Sequence, residues 1–168
     1  MVNLLLMRHG IAEEPAPGVP DARRCLTDIG RRRTTRAVRG LARLELVPAL
    51  VVSSPLVRAA QTATIVRRVL GVRQEVRVEP ALSPGTSPQA AAEALARHAH
   101  AGVCLMAVGH QPLLGAIAGL LCFGDALAGL PLRKAGVAQL ALTAPITPGR
   151  CATLTALLTP GQLRRAAG

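Results

Sequence analysis

Tryptophan and tyrosine are absent from this sequence, Phe123 is its one phenylalanine and Lys134 its one lysine. Without aromatic rings the core must be assembled from Leu, Val and Ala, and half of the residues are apolar. The shortage also bears on the charge. A net charge of +11 over 168 residues invites a nucleic-acid reading. Single-strand binders stack bases on aromatic side chains, however, and this chain has no such platform. Arginine carries nearly all the positive charge, a bias that codon usage produces without any nucleic-acid partner, so none is expected.

No C-x-x-C pair joins Cys25, Cys104, Cys122 and Cys151, and no His or Cys cluster has zinc-like spacing. Reduced thiols are expected, three of them in apolar surroundings, with neither metal nor cofactor. His98 and His100 lie two apart, a spacing that puts them on different faces of a helix, and they read as surface residues. The apolar run Leu113–Gly124 is too short to cross a bilayer, and Asp125 and Pro131 interrupt the residues after it. Within it, Gly115-x-x-x-Gly119 points to a helix packed closely on a sheet rather than to helix pairing in a membrane. Val2–Met7 has no basic region before it and does not read as a signal peptide. There is no internal repeat, long linker or low-complexity tract. A soluble, cytoplasmic protein of one domain, residues 1–168, is expected.

What is present is a regular alternation of elements. Val2–Met7 reads as a buried strand, and the Pro- and Gly-rich stretch Gly10–Arg24 as a loop. Thr27 is an N-cap for a helix to about Leu44, with Arg32, Arg36, Arg39 and Arg43 on one face. Ala49–Ser53 is a second buried strand. Ser54-Pro55 then reads as an N-cap with proline at the first helical position, opening a helix to about Leu70. Glu75–Glu79 alternates as a short, exposed strand, and Ser87-Pro88 opens a helix to about His98. Val103–Val108 is the next strand, followed by a helix from near Pro112 and by strands over Gly136–Thr143 and Ala152–Leu158. This order predicts a three-layer α/β fold with a largely parallel sheet.

In such sheets ligands bind beyond the carboxyl ends of the strands. Arg8-His9-Gly10 ends the first strand, Ser53-Ser54-Pro55 leads from the second into a helix whose first turn carries Arg58, and Gly109-His110 ends the fourth. Two arginines can clamp phosphoryl oxygens, and neutral imidazole is a good nucleophile toward phosphorus. Flanking arginines would lower its pKa and keep it neutral. A second histidine can donate to the phosphoryl oxygens as charge shifts, and Gly10 lets the backbone turn beside the ligand.

These segments, Met7-Arg8-His9-Gly10, Ser53-Ser54-Pro55-Leu56-x-Arg58-Ala59-x-Gln61-Thr62 and Val108-Gly109-His110, resemble the three signatures of the histidine phosphatase (phosphoglycerate-mutase-like) superfamily. Leu26-Thr27-x-x-Gly30 is similar as well. Within the superfamily the resemblance is to the SixA-type phosphohistidine phosphatases, and it extends to Leu82-Ser83-Pro84-Gly85 and Thr159-Pro160-Gly161. It implies a six-stranded sheet of order 3-2-4-1-5-6 with strand five antiparallel. It also implies that His9 becomes phosphorylated without a metal, in a phosphate pocket of Arg8, Arg58 and His110.

Two departures narrow the substrate. Many members carry a Glu or Asp after the third strand as general acid for an alcohol leaving group. Here Glu79-Pro80-Ala81-Leu82 occupies that region, and Glu79 reads as a strand-end surface residue; Glu13 and Glu14 read as solvated loop. The Asn that ester-hydrolysing members often carry downstream of the Arg-His-Gly turn has no counterpart, Asn3 being the one asparagine. A phosphoramidate such as phosphohistidine can protonate its own ring nitrogen and leave as neutral imidazole, so a dedicated acid matters less. Only about 25 residues separate the third and fourth strands, which leaves no room for a substantial lid. The expected substrate is a phosphohistidine-bearing, phosphorelay-type protein. Small phosphoesters at the same site are the alternative.

Two readings compete. Cys25-x5-Arg31 fits the spacing of cysteine phosphatases, but Asp21-Ala22-Arg23-Arg24 precedes it instead of a buried strand, and Asp28 would sit in the cradle. The arginine stripe could make the chain a non-catalytic basic module for an acidic partner, or could steer an acidic phosphoprotein to the pocket. A solvated helix face accounts for the stripe better than any docking role.

Overall fold

The computed structural model describes residues 2–100 and 102–168. Six strands, β1 (Val2–Arg8), β2 (Leu50–Ser53), β3 (Arg77–Val78), β4 (Leu105–Gly109), β5 (Val137–Leu142) and β6 (Ala152–Leu158), form one sheet of order β3-β2-β4-β1-β5-β6. β1, β2, β3 and β4 run parallel to one another, while β5 is antiparallel to both β1 and β6. The expected order and the antiparallel fifth strand are both present.

Alternation along each strand divides the apolar residues between two faces. Leu4, Leu6, Val52, Leu105 and Ala107 face α3 (Pro88–Ala96) and α4 (Leu113–Phe123). Leu5, Met7, Val51, Met106 and Val108 face α1 (Asp28–Arg43), α2 (Val57–Leu70) and α5 (Pro160–Ala166). Every residue of β2 and β4 is buried, as strands covered on both sides must be. No helix among the described residues is long and apolar enough to cross a membrane.

The expected caps of α1 and α3 are present: Thr27 Oγ1 accepts from Gly30 N–H at 2.9 Å and Ser87 Oγ from Ala90 N–H at 3.2 Å. That of α2 is not. The helix starts later, after Leu56, with no side-chain cap, and the Ser54 hydroxyl lies instead beside His110. The Gly115 and Gly119 pair also differs from expectation. A Cβ there would lie 2.2 Å from Leu130 O and 2.7 Å from Asp125 O, so the close packing is against the 125–130 segment, not the sheet. The final helix α5 went unanticipated, although Thr159 and Gln162 form a capping box and Pro160 stands at its start. Buried Leu163 fastens it to α1.

Candidate active site

Parallel pairing of β1 with β4 sets Arg8 beside Gly109, which brings the next residues, His9 and His110, together. Their ring centroids are 5.1 Å apart. His9 N–H donates to Gly109 O at 3.0 Å, and His9 Nδ1 lies 2.7 Å from Gly10 O. A carbonyl can only accept, so Nδ1 carries the proton and Nε2 bears the lone pair. Arg58 Nε donates toward that Nε2 at 3.4 Å.

Gly10 sits in a tight place. A Cβ would meet Thr34 Oγ1 at 2.3 Å, and its N–H already donates to Thr62 Oγ1 at 3.1 Å. It therefore serves the turn by being small and by offering its carbonyl to His9. Gly30 is equally constrained, since a Cβ would lie 2.0 Å from Ile11 O; this presses the first turn of α1 against the loop behind His9.

Arg58, 4% exposed, comes from the first turn of α2. Its Nη1 donates to the main-chain oxygen of Asp21 at 2.7 Å and its Nη2 to Asp21 Oδ2 at 2.8 Å. Arg8, half-buried, donates through Nη1 to Leu132 O at 3.0 Å, while its buried Nε has no partner among the described residues. His110 Nε2 lies 2.9 Å from Ser54 Oγ. That hydroxyl oxygen also accepts from Leu56 N–H at 3.4 Å, so its own proton is available for His110 Nε2. His110 then carries its proton on Nδ1, which is buried and without a partner among the described residues. One acceptor nitrogen (His9 Nε2) and one unsatisfied donor (His110 Nδ1) thus share a pocket with two guanidinium groups, a constellation suited to a phosphoryl group.

Both imidazoles are held neutral. Burial, first of all, pushes His9 down to about 4; the positive charges of Arg58, Arg8 and Lys134 act the same way and the Gly10 carbonyl opposes them. Burial likewise pushes His110 down to about 3, assisted by His9, Arg58 and Arg8 and opposed by Asp21. Flanking arginines were expected to do this; desolvation does more of it.

The carboxylates stand elsewhere than expected. Glu79 is no surface residue: it is 7% exposed, because the end of α3 folds over it. It accepts from Ala81 N–H at 3.1 Å and pairs with His98 Nε2 at 3.0 Å, with Arg97 at 3.6 Å. Burial works against its ionised form, but those partners outweigh burial and hold its pKa below the ordinary value. His98 is accordingly half-buried and committed to Glu79, while His100 is exposed. Asp21, which sequence reasoning passed over inside an irregular loop, is the carboxylate at Arg58. Hydrogen bonds from Arg24 and then Arg58 keep it ionised. Glu13 is exposed and holds Cys25 N–H at 3.0 Å. The amides of Leu26, Thr27, Gly30 and Arg31 are committed as well, so most of the amides of the Cys25–Arg31 segment are unavailable to an anion. No group of three or more metal-ligating side chains occurs among the described residues.

A family model described as the histidine phosphatase superfamily (branch 1) matches residues 4–83. An uncharacterized protein of Picosynechococcus sp. is 34% identical over 141 residues, which span 81% of this chain and 82% of that protein. Among solved structures, the protein histidine phosphatase SixA complexed with tungstate superposes with a TM-score of 0.83 at 24% identity, over 96% of this chain and 99% of that one. Phosphoserine phosphatase from Entamoeba histolytica, in complex with 3-phosphoglyceric acid, gives 0.72 at 17% identity, over 97% and 100%. At these identities the structural likenesses speak for the fold; the choice of substrate has to be argued from the pocket.

Proposed function

The chain belongs to the histidine phosphatase superfamily, and from that premise we propose that it hydrolyses phosphohistidine on a protein through a covalent phospho-His9 intermediate, acting as one domain over residues 1–168. In the first step His9 Nε2 attacks phosphorus in line as the bond from phosphorus to the substrate imidazole breaks. That imidazole leaves neutral once its other ring nitrogen carries a proton. Arg8, Arg58 and His110 Nδ1–H hold the phosphoryl oxygens as charge builds on them. In the second step water attacks phosphorus, the Nε2–P bond breaks, and inorganic phosphate departs.

The observation that carries the substrate class is the state of the carboxylates. Asp21 is ionised and tied to Arg58 and Arg24, and Glu79 is ionised and turned to His98. Neither is a proton donor for an alkoxide, whereas a phosphoramidate needs none from the enzyme. Between β3 and β4 the chain forms only a short turn (Pro80–Leu82) and α3, with no added domain over the strand ends, which favours a side chain presented on a protein surface. A phosphorelay-type protein in the cytoplasm fits this reading.

The test compares turnover of a phosphohistidine protein, p-nitrophenyl phosphate and sugar phosphates, and traps radiolabel on the enzyme. Label on His9, lost in His9→Ala, with the phosphohistidine protein as the best substrate, is the expected result. Turnover confined to the esters overturns the substrate; label on Cys25 overturns the nucleophile.

A further inference from the structure

A second cationic feature lies on the same end of the sheet as His9. The segment before β5, the start of α1 and the start of α5 converge there and line a cleft of about 340 Å³. Arg33 comes from α1, Arg133 and Lys134 from the segment before β5, and Arg164 from α5; Arg8 forms the wall shared with the catalytic pocket. Arg33, Arg133 and Lys134 are exposed and Arg164 is half-buried.

Unlike the stripe on α1, these cations converge from three elements on one concave site beside Arg8. Arg24, Arg58, Arg67 and Arg97 each have a carboxylate partner, whereas none of the cleft's four cations pairs with a carboxylate among the described residues. Thr34, wholly buried, lies beneath the cleft, with its hydroxyl against Gly10 and without a hydrogen-bond partner among the described residues. Four like charges are thus held together beside the catalytic pocket, with an unmet polar group beneath them. A cluster of that kind focuses a positive field and draws anions to it.

Resting on the phosphatase reading above, we propose that this cleft docks acidic side chains of the substrate protein that flank its phosphorylated residue. A small bis-phosphorylated metabolite suits it less. Such ligands are mostly enclosed by their sites, whereas these cations stand exposed on three separate elements. Carboxylates on a protein surface can meet spread, exposed cations without being enclosed, and the shared Arg8 wall sets the docked residues next to the phosphoryl group. The cleft is distinct from the Arg32/Arg36/Arg39/Arg43 stripe, which runs along α1 away from the pocket.

Two phosphohistidine peptides of one length test this, one with flanking glutamates and one with glutamines in their place. The native enzyme is expected to favour the acidic peptide in kcat/KM by about tenfold or more at low salt, and by less as salt is raised. Arg33→Glu/Arg164→Glu is expected to erase or invert that ratio, and the milder Arg33→Gln/Arg133→Gln to reduce it, with melting curves confirming that both fold. A native ratio near one, a ratio that survives both variants, or an equal loss on both peptides overturns the proposal. So does a variant that loses turnover of a bis-phosphorylated sugar while keeping the peptide ratio, which would assign the cleft to a second phosphate. Phosphoserine versions of the peptides separate the two readings. Acid preference seen only there leaves the cleft standing and removes phosphohistidine as the substrate.

Discussion

Arginine does opposite work in two regions of this molecule. In the pocket, Arg58 is 4% exposed, and three of its five N–H donors are fixed on His9 and Asp21, which leaves two for a phosphoryl group. On α1, Arg32, Arg36, Arg39 and Arg43 are exposed along one helix face, and apart from a bond from Arg36 to Gly168 O at 3.1 Å their guanidinium groups have no partner among the described residues. The same side chain is a positioned clamp in one place and a solvated charge in the other. Burial and partners, not residue type, decide what a charge is worth. The pocket side of the comparison breaks hardest at Arg58. Arg58→Lys keeps the charge but loses the planar fork that reaches Asp21 O, Asp21 Oδ2 and His9 Nε2 together. A fall of about 10²-fold in kcat, measured on the preferred substrate, is expected. A change of less than about threefold would put Arg58 among the solvated charges.

Burial of two neutral histidines makes the next largest effect, and it is read in stability. His9 and His110 ordinarily protonate near 6.5 but resist until about 4 and about 3 in the fold. Between those limits the unfolded chain binds more protons than the folded one. Stability is therefore undiminished by these groups above 6.5 and falls as pH drops toward 4. The slope approaches about 1.4 kcal/mol per pH unit for each histidine. Urea unfolding at a series of pH values measures it, and His110→Gln should lower the slope below pH 6 by one proton's worth. A slope unchanged by that substitution would mean that His110 titrates normally.

Much of this was legible in the sequence, and the remainder failed for identifiable reasons. The strands, the Thr27 and Ser87 caps and the meeting of Arg8, His9, Arg58 and His110 follow from local patterns and from the rule that parallel strands present their carboxyl ends together. Asp21 does not. It meets Arg58 from 37 positions away, out of a Pro- and Gly-rich loop with no periodicity to place it. Glu79 misled because β3 is only a two-residue edge strand; its burial is imposed by the end of α3, which no pattern around Glu79 records. Ser54 looked like a helix cap because serine before proline usually is one. Here the helix begins two residues later, and the hydroxyl serves a buried histidine that no local pattern places beside it.

That contact gives a smaller prediction on the pocket side. The Ser54 hydroxyl bonds to His110 Nε2, at 2.9 Å, and to Leu56 N–H at the start of α2, at 3.4 Å. Ser54→Ala frees the imidazole to place its proton on either nitrogen, so only part of the population offers Nδ1–H to the phosphoryl group. About a tenfold loss in kcat with little change in KM is expected. Nitrogen-15 shifts of the His110 ring should show mixed tautomers where the native protein shows one. A loss of kcat with an unmixed tautomer would assign Ser54 to packing instead.

The smallest effect is on α1, and its sign is the informative part. Arg39 is exposed, with Arg36 three residues before it and Arg43 four after, so it faces like charges on both sides of its own helix face. Glutamine has nearly the same helix propensity as arginine, which leaves repulsion as the main term that Arg39→Gln removes. The substitution is expected to stabilise the fold by roughly 0.2–0.5 kcal/mol at low salt. The gain should vanish near 1 M salt, where the screening length falls to about 3 Å, shorter than the spacing of the pairs. Urea unfolding at two salt concentrations reads both the sign and its loss. A salt-independent destabilisation would show that the Arg39 stem is packed on the helix surface. The stripe would then belong with the positioned arginines of the pocket, and the division between the two regions would have to be redrawn around packing instead of charge.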